Sequence, residues 1–397
     1  MRCTLLFSTI TAALLVTLPA SAAAPNPVIT TAWPAGARPG STVEVTMTGS
    51  GIEKLTQLKS TAPGLRAESI GDAKSKRFRV VIPKTTPPGL YEIRLAGQSG
   101  VSSPRTFQIG NRPEVTEAEQ TTTPDVAKPV PLDVIINGRI LEAGDQDCHR
   151  FTAGKGQRVI IECWAERIDS DLHPVLQLFD AEGHLLKVSR GYYGIDPLID
   201  FRVPANGDYV VRLHDLTYTG GANHLYRLDI DTGPRVALAV PGVIHRGHAT
   251  RVTLLGWNLA QRTDAPAPAL DRVEVEIPAG KATPTWPLPV RLAPSQTPLD
   301  AMTWQLPGGH APVLIGVTDV AVVHSSDDNH TPQTAQQIEI PCEAGGLLVE
   351  ADEKDWYSFK ARRGEVIYIE LILSLIHISE PHETRHDLVC RLLLEKK

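Results

Sequence analysis

Acidic side chains with oxygen-donor chemistry are concentrated in short segments that are rich in turn residues. These oxygen donors are Asp145, Asp147, Asp328, Asn329, Asp352 and Asp355. Calcium takes six to eight oxygen ligands, and carboxylates and amides on turns supply them without a helix. We therefore predict calcium as a cofactor with these residues as its ligands. The competing interpretation is that the acids cap turns and keep sheet edges soluble.

A second metal-binding pattern is His382-Glu383-Thr384-Arg385-His386. On a helix, histidines at i and i+4 share a face and bind zinc, with the glutamate as general base. A catalytic zinc also needs a third protein ligand, and beyond Asp387 the only later acid is Glu395. Val389 also occupies the position where the extended form of the motif requires glycine. The pattern therefore gives little support to a zinc protease.

Other catalytic and nucleic-acid-binding patterns are missing from the sequence. It has no Gly-x-Ser-x-Gly elbow and no glycine-rich loop that leads from a strand into a helix. The net charge of −6, without a run of Lys or Arg, gives no reason to expect nucleic acid as a partner. We predict that the chain is not an enzyme.

The segment that contains Asp145 and Asp147 occurs twice. Residues 138–162 recur as residues 346–370, at a constant offset of 208 residues between, for example, Gly138 and Gly346. The residues that meet an identical residue are Gly138, Glu142, Ala143, Asp147, Phe151, Ala153, Gly156, Ile161 and Glu162. A gapless repeat of this length predicts one domain type used twice.

The repeat and its surroundings have the pattern of β-structure. Val159, Ile161 and Cys163 alternate with residues of different character, as in a strand with two unlike faces. The 397 residues include 32 Pro and 31 Gly, and the apolar runs are short and separated by turn residues. We predict an all-β chain of tandem β-sandwich, jelly-roll-like domains.

The first copy resembles the bacterial pre-peptidase C-terminal domain, a calcium-associated jelly-roll-like sandwich appended to secreted proteases and other exported proteins. The segments that carry the resemblance are Gly144-Asp145-Gln146-Asp147, Asp171-Leu172-His173-Pro174, Asp180-Ala181-Glu182-Gly183, Asn206-Gly207-Asp208-Tyr209 and Asp215-Leu216-Thr217-Tyr218. The second copy follows this succession only to about Ile372. The resemblance implies two such domains, the second truncated.

In that family the preceding linker carries a Glu-Pro-Asn segment whose acid and amide help to bind calcium. The corresponding text here is Glu119-Gln120-Thr121, so the asparagine is missing and Glu119 is the weaker partner of Asp145 and Asp147. Before the second copy, Asp328 and Asn329 stand in the linker position. The resemblance therefore implies a more complete set of linker ligands in the second copy.

The remaining segments resemble immunoglobulin-like modules of the transcription-factor/plexin type, whose usual role is spacing and docking. Evidence for the first is the alternation around Val43 and Val45 and the turn at Pro88-Gly89. The predicted order is a signal peptide (1–23), an immunoglobulin-like domain (27–110), a linker (111–131), the first sandwich (132–232), a second immunoglobulin-like region (233–323) and the truncated second sandwich (324–372). Residues 373–397 resemble translated sequencing adapter, which predicts that this tail is not native.

The N-terminal segment has the features of a secretory signal. Arg2 precedes an apolar run over residues 5–18, and Ala20-Ser21-Ala22 forms an A-x-A cleavage site. No later segment is long and apolar enough to span a membrane. We predict a secreted, periplasmic or cell-surface location.

Two cysteines of the first copy flank a turn. Their strands are expected to form a hairpin around the Ala153–Gly156 turn, which puts Cys148 and Cys163 on the same face, diagonal to each other. This arrangement is compatible with a disulfide in an oxidising compartment and equally with two buried apolar thiols.

These observations favour an exported, non-catalytic, multidomain β protein for extracellular binding, adhesion or presentation. Its expected partner is an extracellular protein or polysaccharide. The alternative is the accessory region of a secreted protease or other hydrolase whose catalytic domain is missing from this sequence.

Overall fold

The computed structural model describes residues 26–71, 75–117, 123–259, 270–278, 301–306, 309, 312–348, 352–373 and 388–396. Within them the chain is all-β, as predicted, with two single-turn 3-10 helices at Pro124–Val126 and Glu166–Ile168. Among the described residues, no helix is long and apolar enough to cross a membrane. The predicted signal peptide, Glu119 and the motif at 382–386 lie outside these ranges.

The first module, called the first spacer, is a two-sheet sandwich. Its strands are β1 (Val28–Trp33), β2 (Gly36–Ala37), β3 (Thr42–Ser50), β4 (Leu55–Ser60), β5 (Arg66–Ile70), β6 (Arg77–Val81), β7 (Gly89–Gly97), β8 (Gly100–Val101) and β9 (Arg105–Ile109). The sheets have the orders β1-β3-β6-β5 and β2-β9-β7-β4, with β8 paired to β7. Val45 and Met47 on β3 pack against Ile93 and Leu95 on β7 in the core between the sheets.

The second module, called the first sandwich, contains the first copy of the repeat. Its strands are β10 (Glu114–Thr116), β11 (Lys128–Pro129), β12 (Val134–Arg139), β13 (Gln146–Ala153), β14 (Arg158–Trp164), β15 (Pro174–Phe179), β16 (Leu185–Ser189), β17 (Leu198–Arg202), β18 (Gly207–Asp215) and β19 (Leu225–Asp231). The sheets are β10-β12-β19-β14-β17 and β11-β13-β18-β15-β16. Tyr209 lies between Phe151 and Phe201 in the core, with ring centroids 5.9 and 5.1 Å away.

The segment predicted as a linker, residues 111–131, contributes an edge strand to each sheet of the first sandwich. β10 pairs in parallel with β12, and β11 pairs in parallel with β13. The segment therefore crosses from one sheet to the other, with residues 118–122 outside the described ranges.

The third module, called the second spacer, has strands β20 (Arg235–Val240), β21 (Val243–His245), β22 (Thr250–Trp257), β23 (Asp271–Ile277), β24 (Ala301–Trp304) and β25 (Val313–Thr318). They form the sheets β20-β22-β23 and β21-β25-β24. Val252 and Leu254 of one sheet belong to the same buried cluster as Ile315 and Val317 of the other.

The fourth module, called the second sandwich, repeats the pairing of the first in the same register. Its strands are β26 (Ala321–His324), β27 (Gln336–Gln337), β28 (Cys342–Leu348), β29 (Tyr357–Ser358), β30 (Ile367–Leu373) and β31 (Leu388–Lys396). The corresponding parallel pairs are Val115–Ile136 with Val323–Ala344, and Lys128–His149 with Gln336–Tyr357. The sequence repeat therefore extends into the segments that precede both copies.

Strand β31 comes from the tail that was predicted to be non-native. It lies between β28 and β30 and is antiparallel to both. In the first sandwich β19 has the same place between β12 and β14. In the structure, β31 of the tail therefore takes the position that β19, the last strand of the first sandwich, has in the first copy.

The two cysteines do not lie on a hairpin, so that expectation was wrong. Cys148 is on β13 and Cys163 on β14, and these strands belong to different sheets. Both are buried free thiols. Cys163 belongs to the central core, whereas Cys148 packs against Ala127 and Val210. The interpretation as two buried apolar thiols is the one that the structure supports.

A buried arginine joins the first spacer to the first sandwich. Arg227 on β19 is 1% exposed, and its Nε donates to Gln108 Oε1 at 2.6 Å. Its Nη atoms donate to Glu114 Oε1 at 2.9 Å and to Asn137 Oδ1 at 2.6 Å. A buried charge is tolerated only with such partners, and one of them, Gln108, belongs to the first spacer.

A second buried joint connects the first sandwich to the second spacer. Arg235, the first residue of β20, pairs with Glu162 and donates to Asp229 Oδ2 at 2.5 Å, and all three side chains are at most 4% exposed. Beside this group, Trp257 of β22 packs in one apolar cluster with Ile160 of the sandwich. The modules are thus packed on one another.

Replacement of Arg227 by Met should separate the first spacer from the first sandwich. The change leaves the buried Asn137 and the partly buried Glu114 without their cationic partner, which costs about 3–5 kcal/mol. We expect a calorimetric scan to change from a joint transition of both modules to an earlier, separate transition of the first spacer.

The matched control is Arg77→Gln, which removes an ion pair of 2.6 Å to Glu44 whose side chains are 48% and 52% exposed. Such a pair contributes less than about 1 kcal/mol. Equal destabilisation by the two variants would contradict the role given to Arg227.

Candidate functional site

The first copy brings two carboxylates together in the interior of the first sandwich. Glu117 follows the edge strand β10, and Asp147 lies on β13 in the opposite sheet. The hydroxyl of Tyr226, on β19, lies 2.5 Å from Glu117 Oε2 and 2.8 Å from Asp147 Oδ2. His149 Nε2 is 3.0 Å from the same hydroxyl. We call these four residues the first acidic site.

The period of a strand explains why polar groups reach this interior position. Asp147, His149 and Phe151 are two residues apart on β13 and are all buried. Phe151 extends the core, whereas Asp147 and His149 meet Tyr226 from the adjoining sheet. Gly138 on β12 gives them room, since a Cβ there would lie 2.1 Å from the Tyr226 ring and 2.5 Å from Glu117 Oε2.

Burial controls the protonation of the first acidic site. It is the largest cause that raises the pKa of Asp147 from 3.8 to about 9, and the neighbouring Glu117 and Asp145 raise that pKa further. Burial also raises the pKa of Glu117 and lowers the pKa of His149 to about 4. Burial therefore favours the uncharged imidazole of His149 and the protonated form of Asp147.

The first acidic site offers oxygen donors of the kind that calcium prefers. Burial raises the pKa of both Glu117 and Asp147, and a third carboxylate, Asp145, raises the pKa of both further. A divalent cation stabilises the ionised forms that burial disfavours, and calcium is a hard cation that prefers oxygen donors. Glu117 and Asp147 are the residues that would hold it, with Asp145 beside them.

The structure places the predicted ligands of the first copy as follows. Asp147 is in the site, and Asp145 accepts hydrogen bonds from the backbone of Leu141 and Gln146 in the turn before β13. Glu119 lies outside the described residues, and the acid that reaches Asp147 is Glu117. Sequence reasoning missed Glu117 because it relied on the family's linker pattern instead of the end of an edge strand.

The second copy places its predicted ligands differently. Asn329 is buried, whereas Asp328 and Asp352 are exposed. Asp355, the counterpart of Asp147, accepts a hydrogen bond of 2.8 Å from Ser325 Oγ, and Ser325 is the counterpart of Glu117. Asp352 corresponds to Gly144, and both have positive φ, at 64° and 84°. Asp355 and Asn329 are therefore the predicted ligands that lie inside this site.

Two further residues, which the sequence reasoning missed, complete the second site. His330 Nδ1 lies 3.4 Å from Asp355 Oδ1 and 3.7 Å from Glu353 Oε1. The donor atoms of these three residues all lie within 4.8 Å of one another. The repeat offset could have found Glu353, because it is the counterpart of Asp145.

No protein-family model matches the chain, and no curated protein matches it. Among solved structures it is similar to the pre-peptidase C-terminal domain of collagenase from Bacillus anthracis, with 15% identity over 30% of this chain and 99% of that one (TM-score 0.23). It is also similar to the secreted serine protease VesC from Vibrio cholerae, with 12% identity over 50% of this chain and 49% of the protease (TM-score 0.20). A third similar structure is SGBP-B of the Bacteroides ovatus mixed-linkage glucan utilization locus, in complex with mixed-linkage heptasaccharide, with 11% identity over 49% and 72% (TM-score 0.18). These similarities are too low to assign a function, so the function is inferred from the residues of this chain.

Replacement of Asp147 by Asn should remove a pH dependence of stability. Since the folded pKa of about 9 lies above the usual 3.8, the folded state keeps a proton that the unfolded state releases. In calcium-free buffer, the wild-type chain should therefore lose stability relative to the variant as pH rises from 5 to 9. The slope is at most about 1.4 kcal/mol per pH unit. Urea unfolding at several pH values measures it.

Asp208→Asn is the matched control, since Asp208 is an exposed carboxylate of the same sandwich, hydrogen-bonded to Thr152. It should leave the pH profile of the wild type unchanged. If the wild-type profile ran parallel to that of Asp147→Asn, Asp147 would not keep a proton in the folded state.

Proposed function

We propose that the chain is an exported, non-catalytic array of β modules that binds an extracellular protein or polysaccharide and holds it in a fixed orientation. The observation that supports this proposal is the burial of charged groups at the contacts between modules. The predicted signal peptide, residues 1–23, supports a secreted, periplasmic or cell-surface location.

The contacts between modules favour a fixed relative orientation of the modules over independent motion on flexible linkers. Domains on flexible linkers move relative to one another unless their interface is large or strongly paired. Here Arg105 of the first spacer donates to the Asp169 carbonyl of the first sandwich at 2.9 Å, and the Thr106 amide donates to Asp169 Oδ2 at 2.7 Å. Asn111, between the first spacer and the first sandwich, donates to the Gly309 carbonyl of the second spacer at 2.6 Å.

Charge pairing makes these contacts specific. Arg158 Nη1 of the first sandwich lies 3.2 Å from Asp271 Oδ1 across the boundary to the second spacer, and Arg112 pairs with Asp231 where the chain enters and leaves the first sandwich. Each guanidinium needs its carboxylate in place, because an unpaired buried charge is costly. A pre-ordered array loses little further freedom on binding, which favours affinity for an extended partner.

Calcium belongs to this proposal as a structural cofactor. Glu117 and Asp147, with Asp145 nearby, would hold it at the point where the chain enters the first sandwich. Since Glu117 follows β10, calcium there would bind the entry strand to the opposite sheet. Its chemistry would be charge neutralisation of buried carboxylates and no reaction step.

The proposal is tested with the purified chain and two kinds of substrate. We expect no hydrolysis of casein or gelatin, with or without added zinc, and saturable binding to a subset of immobilised glycans or matrix proteins. Binding should weaken when Arg227→Met loosens the array, because the orientation of the modules is lost. The control Arg77→Gln should bind as the wild type does.

Two outcomes would overturn the proposal. Hydrolysis that zinc restores, a chelator removes and Glu383→Gln abolishes would identify the motif at 382–386 as a catalytic zinc site. Absence of binding to every glycan and protein tested would reject the binding role. An adhesin is distinguished from an accessory region of a hydrolase by what it binds, a cell surface in one case and the substrate of a hydrolase in the other.

A further inference from the structure

A cleft separates the second spacer from the second sandwich. Its volume is about 700 Å³. The second spacer lines it with Val240, Thr253, Leu255 and Arg272, and the second sandwich contributes His330, Glu353 and Asp355 among other residues. Glu353 and Asp355 are 10% and 13% exposed, and His330 is 45% exposed. The cleft therefore gives solvent access to a group of potential metal ligands.

The spacing of these ligands matches the geometry of a small divalent cation. Zinc binds imidazole nitrogen and carboxylate oxygen at about 2.0–2.2 Å, so two ligands of a tetrahedral zinc lie about 3.3–3.5 Å apart. His330 Nδ1 is 3.4 Å from Asp355 Oδ1 and 3.7 Å from Glu353 Oε1. His330 is therefore close to the ligand spacing with each carboxylate, and the three donor atoms all lie within 4.8 Å of one another.

Hydrogen bonds outside the group hold Asp355 in position. Tyr357 donates to Ser325 Oγ at 2.7 Å, and Ser325 donates to Asp355 Oδ2 at 2.8 Å. The second oxygen of the carboxylate, Oδ1, faces His330. Metal-binding carboxylates are commonly oriented by such partners.

The segment that carries His330 is also held by backbone contacts. The Trp356 amide donates to the Asn329 carbonyl at 2.7 Å, which places His330 beside the strand that follows Asp355. When the Asn329 amide is oriented so that both its oxygen and its nitrogen have hydrogen-bond partners, the nitrogen donates to the Ser326 carbonyl at 2.6 Å and to Asp355 Oδ1 at 3.3 Å. The buried Asn329 thus connects the segment to the carboxylate.

We propose that His330, Glu353 and Asp355 bind a divalent transition metal of the zinc type, with a remaining coordination position open to the cleft. The imidazole is the reason for this metal class, since nitrogen donors suit zinc, nickel and copper, whereas calcium takes oxygen. The first copy has Thr122 at the position of His330 and Asp145 at that of Glu353. The two copies therefore carry different donor sets at equivalent places.

A comparable set elsewhere in the described residues serves as a control. Asp180, Glu182 and His184 also lie within 4.8 Å of one another, on the hairpin between β15 and β16. His184 is 76% exposed and forms a 3.0 Å pair with Asp180. This hairpin has the same residue types, but it does not line the cleft, and its carboxylates do not accept the hydrogen bonds that Tyr357 and Ser325 provide at Asp355.

The test is zinc binding to the full chain, measured by competition with a chromophoric chelator. All proteins carry His382→Ala and His386→Ala, so that the histidine pair of the tail cannot contribute. We expect His330→Ala to lower zinc affinity at least about 100-fold, because changes outside the ligand shell alone cost about 10–100-fold. Ser325→Ala should cost about 10-fold, and His184→Ala should have no effect.

Cobalt provides a second measurement that does not depend on folding stability. A tetrahedral cobalt site with one nitrogen ligand gives a visible absorption band, and His330→Ala should abolish the band while the circular dichroism spectrum stays unchanged. Zinc affinity equal to the wild type in His330→Ala, or competition by millimolar calcium as strong as by cobalt, would overturn the proposal. Neither result would affect the proposed binding function, which is tested by binding to glycans and proteins and not by the affinity for zinc.

Discussion

The arrangement of the first spacer and the first sandwich depends on how the buried guanidinium of Arg227 is satisfied. A charge removed from water requires partners at short distance, and these come from Gln108, Glu114 and Asn137. Gln108 lies on the last strand of the first spacer, and Asn137 lies inside the first sandwich. Any rotation between the two modules would break at least one of these bonds, so a single side chain ties their relative orientation to the cost of an unpaired charge.

The first acidic site follows from the same joint. Glu114 pairs with Arg227 at the start of β10, and Glu117 lies just beyond the end of that strand. The parallel pairing of β10 with β12 therefore positions both side chains. Glu114 reaches Arg227 at the contact with the first spacer, and Glu117 reaches Asp147. The second copy keeps the strand pairing and replaces the acid by Ser325, which leaves space for the donors of His330 and Glu353. One scaffold thus supports two kinds of polar chemistry.

The sequence predicted the elements that have a strong period and missed those that are short. The alternation at Val43–Val45 and at Val159–Cys163 identified β3 and β14, and the offset of the repeat located Asp147 and Asp355. The hairpin of Cys148 and Cys163 was wrong because alternation shows the face of a residue and not the sheet that its strand joins. Strands of two or three residues such as β10 and β11 have no period, so the position of Glu117 could not be read from the pattern. His330 was missed because its distance to Glu353 depends on the fold between them.

The entry and exit of the first sandwich lie at the same end of its sheet, and this has a mechanical consequence. Glu114 pairs with Ile135 where the chain enters, and Val134 pairs with Ile230 where it leaves. Asn111 already contacts the second spacer at Gly309 beside this point. Tension between the two spacers therefore acts first on this end of the sheet, at the Glu114–Ile135 and Val134–Ile230 pairs and at the Asn111–Gly309 contact. The opposite end of the sandwich lies away from the points where the force enters.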